Sequence, residues 1–388
     1  MSVSTQTGSP PRQRTDSTRL KWAGLFRTPE PPAVRTRQRR AAITLAVGVV
    51  VMLAIQLPLG WAIHSDRIPL RDPLYLDKFT TLRAHPGFAP TNSGRALKVV
   101  FIGSSRTLNA IDAGAVGTML TQRLARPVES FNFAVHGAGP VTNTVYLRRL
   151  LADGVKPDAV VIEVHPVFLT TQFPPPEVLW LSALRLRTEE LPLVRQLGFP
   201  AATPGAHGCR GWLLPGYEYR TPMIERYANR LALHPYPLGS LPLGNEHGFL
   251  RCREVSAAER KKILELSRRQ YVHYLPDYWP GGCGVAAVRD SLETCRTAGI
   301  RAALVLTPES TEFRNWYPEP GRSRIVPVLG ELTREFGVPL IDSREWLADE
   351  LIGDGHHLIG TGADLYTARL TRQVLVPWLS GRESGGAP

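Results

Sequence analysis

Acidic residues are scarce at the start of this chain, and cysteine and methionine are scarce throughout. Residues 1–40 hold two acids, Asp16 and Glu30, against nine Arg and Lys, and the formal net charge of the whole chain is +12. A basic balance raises nucleic acid as a partner. The excess, however, sits in a Pro-, Ser- and Thr-rich tail with few apolar residues, a composition that cannot bury enough surface to fold. No nucleic-acid motif stands behind it, so we expect no nucleic-acid partner. The four cysteines are Cys209, Cys252, Cys283 and Cys295. Their spacing matches no metal pattern, so no metal is expected from them and no cofactor is implied. There is no internal repeat.

One feature accounts for the basic tail better than nucleic acid does. Residues 41–63, AAITLAVGVVVMLAIQLPLGWAI, carry no charge, and a spanning helix needs roughly 20 apolar residues. Gln56 and Pro58 weaken the last third without ending it. Trp61 sits where an interfacial anchor belongs. A buried core helix and a cleavable signal peptide are the rival readings. Against the second, no small-x-small cleavage site follows Trp61. Arg35, Arg37, Arg39 and Arg40 flank one end, and by the positive-inside rule residues 1–40 are a disordered cytoplasmic tail and everything after residue 63 is exported, to the periplasm or the cell exterior. The helix is thus read as a signal-anchor, with the membrane as the first partner. All four cysteines then lie where disulfides persist. Cys209–Cys252 is the expected pair. Cys295 shares the apolar face of a helix with Val285, Val288 and Leu292, which also suits a buried free thiol.

Beyond a polar juxtamembrane segment (64–96, with a short helix over DPLYLDKFTTLRAH), the pattern becomes regular. LKVVFI (97–102), VESFNFA (128–134) and DAVVIEV (158–164) are apolar and β-branched, as strands buried on both faces are. Helical patterns over 109–124 and 141–151 separate them, which predicts a parallel α/β sheet. Residues 166–255 break the rhythm with Pro, Gly and Trp. They read as a loop-rich insertion with one helix near 176–197. The alternation returns at Ser256, where SAAE forms a capping box. Helices to Tyr274, over 284–298 and over 323–336, strands at 301–307 and 338–342, and a last helix from Thr361 to Trp378 complete a domain over 97–380, followed by a short disordered tail (381–388).

Three segments stand where an open α/β sheet places its ligands, past the C-terminal ends of strands. FIGSSRT (101–107) puts serine beside backbone N–H groups at a helix start, where an oxyanion can be held. It is not the Gly-x-Ser-x-Gly elbow, and serine is also an ordinary helix cap there. DGHHLIGTG (354–362) holds Asp354 and His357 three apart. A serine hydroxyl needs a base, and an imidazole serves best when a carboxylate orients it. Asp354, His356 and His357 also resemble metal ligands, but they supply too few convergent donors. NFAVHGAGP (132–140) sets Gly137 and Gly139 between a strand and a helix, where N–H groups can approach a ligand or merely connect two elements.

Together these segments resemble the SGNH/GDSL hydrolase superfamily. Gly103-Ser104-Ser105 matches its first block, Gly137 (less closely Gly139) its second, and Asp354-Gly355-His356-His357 its last. The resemblance implies a three-layer, flavodoxin-like parallel sheet and a Ser105–His357–Asp354 triad. It implies an oxyanion site from the backbone N–H groups of Ser105 and Gly137. The family's third block is Gly-x-Asn-Asp, whereas this chain reads Glu163-Val164-His165-Pro166, so His165 is the candidate donor in the Asn position. In LTPESTEFRNWYPEP (306–320), Glu309, Arg314 and Tyr317, with Arg106, are candidate substrate contacts; a solvated loop with packed aromatics is the bland reading. Divergent membrane-anchored relatives serve alginate O-acetylation and D-alanine transfer to teichoic acid. By analogy the expected activity is that of an esterase or O-acyltransferase acting on acyl esters of a cell-envelope glycan, with a membrane acyltransferase as a possible partner. The alternative is a non-catalytic scaffold of the same fold that binds a polysaccharide or an acyltransferase.

The charge asymmetry makes one expectation directly measurable. A reporter active only outside the cytoplasm, fused after Pro388, should be active. A silent fusion whose cytoplasmic counterpart works would reverse the orientation.

Overall fold

A computed structural model describes residues 32–89, 96–200, 211, 213–231 and 241–381, and falls into two units, residues 1–55 and 56–388. The first unit contains most of the helix Pro32–His64. Its stretch Thr36–His64 is long and apolar enough to cross a membrane. The helix starts ahead of the uncharged run, so residues 32–40, assigned to the disordered tail by composition, are helical. Residues 1–31 of that tail, and 382–388, lie outside the described residues, as does Cys209. The Cys209–Cys252 pairing therefore falls partly outside them.

The second unit is built on five parallel strands, β1 (Leu97–Ile102), β2 (Val128–Asn132), β3 (Ala159–Glu163), β4 (Arg301–Leu306) and β5 (Leu340–Asp342), in the order β2-β1-β3-β4-β5. Phe101 is level with Asn132 on one side and Val161 on the other. Side chains alternate across the pleat, so each central strand feeds two cores. Val100, Ile102, Val160, Ile162, Leu304 and Leu306 face one core, under the helices Pro140–Ala152, Gly282–Thr297 and Gly321–Phe336. Val99, Phe101, Val161, Ala303 and Val305 face the other, under Ala113–Leu124 and Gly360–Leu370. This is the expected three-layer, flavodoxin-like arrangement. Cys295 is a buried free thiol in the first core.

Two departures from the sequence reading have physical causes. The helix expected over 109–124 is two helices, Ser105–Ala110 and Ala113–Leu124. Asp112 caps the second by accepting from Ala115 N (3.1 Å), and the buried Asn132 amide donates to Thr107 O and Ile111 O (2.8 Å each), satisfying carbonyls freed by the break. The helix expected near 176–197 is short pieces, Pro176–Leu179, Ala183–Arg185, Thr188–Glu190 and Leu191–Gln196. Pro176 holds Pro175 extended, Pro192 lacks the N–H a continuous helix would need, and the backbone is also extended at Ser182 and Arg187 between the pieces. The short helix expected in the juxtamembrane segment is Pro73–Ala84, and its Leu74, Tyr75 and Leu82 belong to the first core.

The insertion is held by buried charge. The Asp72 carboxylate accepts from Tyr146 Oη (2.9 Å), Arg149 Nη1 (2.9 Å) and Arg185 Nη2 (3.0 Å), while Arg149 also forks onto Glu190 (2.7 Å to each oxygen). Burial alone would raise the Asp72 pKa, but the two guanidinium groups reverse that and hold it below the ordinary carboxylate range. Three parts of the chain thus meet at one anion. Removing one partner of a buried ion pair costs about 3–5 kcal/mol. Asp72→Asn should lower the unfolding free energy read from urea melts by an amount in that range, whereas Asp290→Asn, which breaks the more exposed Arg148–Asp290 pair, should cost at most about 1 kcal/mol.

Candidate active site

The first turn after β1 is shaped by a carboxylate at the end of β3. Glu163 accepts from Ser104 N (2.7 Å), Ser104 Oγ (2.9 Å) and Thr107 Oγ1 (2.7 Å). Ser104 caps the helix Ser105–Ala110, its Oγ accepting from Arg106 N at 3.1 Å. A Cβ on Gly103 would lie 2.5 Å from both Glu163 Oε2 and Thr107 Oγ1, so only glycine fits between strand and cap. Both hydrogen-bonding roles of the Ser104 hydroxyl are therefore taken, and Ser105 is the serine whose hydroxyl faces the cavity.

Ser105 Oγ lies 2.7 Å from His357 Nε2, and His357 Nδ1 lies 2.6 Å from Asp354 Oδ2. The Asp354 side chain builds its own loop: Oδ1 accepts from the backbone N–H groups of His356 (3.1 Å) and His357 (2.8 Å). Gly355 sits at φ +100 against Leu264 and Phe313, where no side chain fits. Burial would raise the Asp354 pKa. The neighbouring imidazoles and the hydrogen bonds outweigh it and hold the carboxyl far below its ordinary range. An ionised Asp354 must accept at Oδ2, so His357 Nδ1 carries the proton and Nε2 is free to accept from the serine.

His356 points elsewhere. It is buried, its Nε2 lies 3.1 Å from Tyr271 Oη, and burial pushes its pKa down to about 3. Donor atoms of Asp354, His356 and His357 lie within 4.8 Å of one another. Both ring nitrogens of His357 already serve the Ser105–Asp354 relay, so a metal could be held there only by breaking it.

The expected oxyanion donors meet around one cavity of about 440 Å³, lined by Ser105, Gly137, His165 and His357 together with Phe168, Leu179, Trp180, Leu241, Ile263, Tyr271 and Tyr274. Gly137 has φ +68, and the Trp180 ring occupies the space a Cβ would need. Gly139 is excluded as a donor, because its N–H is committed to Glu177 (3.1 Å), whose buried carboxylate also takes Val141 N and Thr142 N at the start of the helix Pro140–Ala152. His165 Nδ1 lies 2.7 Å from Arg106 Nη1. A guanidinium only donates, so Nδ1 is the acceptor and Nε2 bears the proton. That N–H is buried and without a partner among the described residues. Burial, then the Arg106 charge, keep His165 neutral by holding its pKa well below the ordinary value.

The candidate substrate contacts fare differently. Arg106 is 1% exposed and its guanidinium is committed to His165, Thr307 O (2.8 Å) and Glu309 (3.1 Å). Glu309 is fully buried, and Tyr317 donates to it at 3.4 Å. Neither lines the cavity. Arg314 turns to the backbone of Glu309 and Arg344 and to Glu345. Ser310 caps a short helix, Thr311–Arg314, that drives Phe313 inward and closes this loop on itself. The residues that wall the cavity in their place, Trp180, Tyr271 and Tyr274, were not singled out from the sequence. Glu163 had left a signal, as a lone charge inside the apolar run DAVVIEV. Glu177 had left none.

No family model matches this chain, and no curated protein is significantly similar to it. Solved structures do align with it. A lipase/acylhydrolase from Enterococcus faecalis is 16% identical, covering 75% of this chain and 100% of that one with a TM-score of 0.33. An aryl esterase from M. smegmatis is 12% identical (72% and 99%, TM-score 0.32). The psychrotrophic esterase EstA from Pseudoalteromonas sp. is 11% identical (73% and 98%, TM-score 0.33). These likenesses are too distant to carry an activity. The strand order β2-β1-β3-β4-β5, with serine after β1 and the Asp–His pair in the loop before the last long helix, is the three-layer α/β arrangement expected from the sequence.

Proposed function

We propose that the protein is a serine esterase or O-acyltransferase of the SGNH type, tethered to the membrane by its N-terminal helix and working outside the cytoplasm. The unbroken chain of hydrogen bonds from Ser105 Oγ through His357 to Asp354, at the wall of an open cavity, carries this reading. Ser105 attacks the ester carbonyl while its proton passes to His357 Nε2. The oxyanion faces the backbone N–H groups of Ser105 and Gly137 and the Nε2–H of His165. The imidazolium then protonates the leaving alcohol. Water or an acceptor hydroxyl, deprotonated by the same imidazole, releases the acyl group from Ser105. His356 stays neutral throughout, so one imidazole carries the proton traffic. The Phe168, Leu179, Trp180 and Leu241 side of the cavity suits the acyl group. An O-acyl ester of an envelope glycan, with a membrane acyltransferase as donor partner, fits an anchored enzyme on the outer side. The missing block-three Asn favours one rival, a non-catalytic scaffold that binds a glycan or an acyltransferase.

Fluorophosphonate labelling separates the two. Wild type and Ser104→Ala should label, while Ser105→Ala and His357→Ala should not. Loss of a triad serine costs a factor of about 10⁴ or more in kcat. His165→Leu should lower kcat by about 10²–10³, as removal of one oxyanion donor does, and His165→Asn should lose less. A wild-type chain that neither labels nor turns over any ester would leave the scaffold reading. His356 adds a pH test. Its unfolded form titrates near 6.5 and its folded form near 3. The unfolded state therefore binds the extra proton, and stability present above about pH 6.5 is lost as pH falls, by up to about 1.4 kcal/mol per unit. Urea midpoints at pH 7 and 5 should fall less in His356→Gln than in wild type.

A further inference from the structure

We infer that residues 213–231 of the insertion form a second membrane contact, lying in the lipid headgroup layer beside the end of the spanning helix. The inference rests on the spanning reading of Pro32–His64. Within the second unit, Gly216 N donates to Gln56 Oε1 at 2.9 Å, and His64 Nε2 lies 3.3 Å from Gly211 O. Tyr219, 1% exposed, packs with Ile63 and Leu70, flanked by Leu59 and Met223. The chain therefore runs back along the last two turns of the helix from Gly211, at the level of His64, to Gly216, at the level of Gln56, and returns at Tyr219 to the level of Ile63.

That geometry sets a depth. Arg67 stacks on Trp61 at 4.3 Å, an aromatic–cation pair of the kind that marks the lipid–water boundary. Gln56 is five residues earlier, about 7–8 Å further along the axis at 1.5 Å per residue. An interfacial amphipathic segment sinks about 5–10 Å into the headgroup and acyl boundary, and Gly216 is held within that range. Gln56 gains from the same contact, because an unbonded amide at that depth would face lipid.

The side chains agree with the depth. Leu213, Tyr217, Tyr227 and Leu231, all within one short segment, are 51%, 58%, 65% and 71% exposed, a density of exposed large apolar groups that marks a contact surface. The acids of the segment, Glu218 and Glu225, are buried, while Arg220 and Arg230 are exposed. What remains outward is apolar, aromatic and cationic, which fits the boundary of an anionic bilayer.

The test uses the full chain in vesicles of equal parts phosphatidylethanolamine and phosphatidylglycerol, with a diazirine analogue of leucine placed singly at Leu213, Leu231, Leu57 or Leu365. The analogue is nearly isosteric with leucine, so each chain folds. Leu57 reports the span. Leu365, 51% exposed on Gly360–Leu370, reports the far face of the sheet. Irradiation should give lipid adducts at Leu213, Leu231 and Leu57, several-fold above Leu365. Adducts at Leu57 but not at Leu213 or Leu231, or adducts there to protein instead of lipid, overturn the inference and leave the anchor standing. No lipid adduct at Leu57 overturns the spanning reading, and this inference with it.

Discussion

The candidate site depends on one buried anion. Glu163 ends β3 inside the fold, and its two oxygens gather the backbone and hydroxyl donors of Ser104 and Thr107. A carboxylate taken out of water is costly unless its lone pairs are filled. Here they are filled by the first turn after β1, so the price of burying the charge is what holds the turn. With Ser104 engaged below the surface, the next residue points out. Ser105 is therefore presented to His357 by an interaction it takes no part in.

The same anion organises the third candidate donor. Arg106 lies 3.8 Å from Glu163 and 3.1 Å from Glu309, and with both acids beside it the guanidinium remains charged despite complete burial. It is then an obligate donor to His165, which sets the tautomer and leaves a buried N–H on the opposite side of the ring with no partner among the described residues. A histidine can replace an asparagine as a donor only if something fixes which nitrogen is protonated. The Glu163–Arg106–Glu309 row supplies that, with Glu309 away from the cavity and Arg106 at its wall but with its guanidinium committed to buried partners.

The insertion is attached by the same means. Glu177 fills the N-terminal donors of the helix Pro140–Ala152, and its neighbour Trp180 lies over Gly137. Asp72 and Glu190 clamp Arg149 and Arg185 behind it. A segment with little regular structure thereby becomes a wall of the cavity, held by buried carboxylates that accept from backbone N–H groups and arginines.

Local chemistry made much of this legible. Apolar β-branched runs in alternation with helical patterns determine a parallel sheet, because only strands buried on both faces read that way. An uncharged stretch flanked by arginines determines a helix suited to a membrane. Gly-Ser-Ser after one strand and Asp-x-x-His in a late loop marked three residues that the fold brings within hydrogen-bond distance across 252 positions of sequence. What the sequence could not decide was where long side chains end. Arg106, Glu309, Arg314 and Tyr317 have the composition of a ligand site, but their reach lets them satisfy one another or the backbone before they meet solvent. Broken helices in the insertion were equally hidden, since proline marks a break without saying how the pieces dock. Which serine faces the cavity, which glycine keeps its N–H free and which nitrogen of His165 carries a proton are settled by partners distant in the chain. Only the tertiary structure brings those partners into contact.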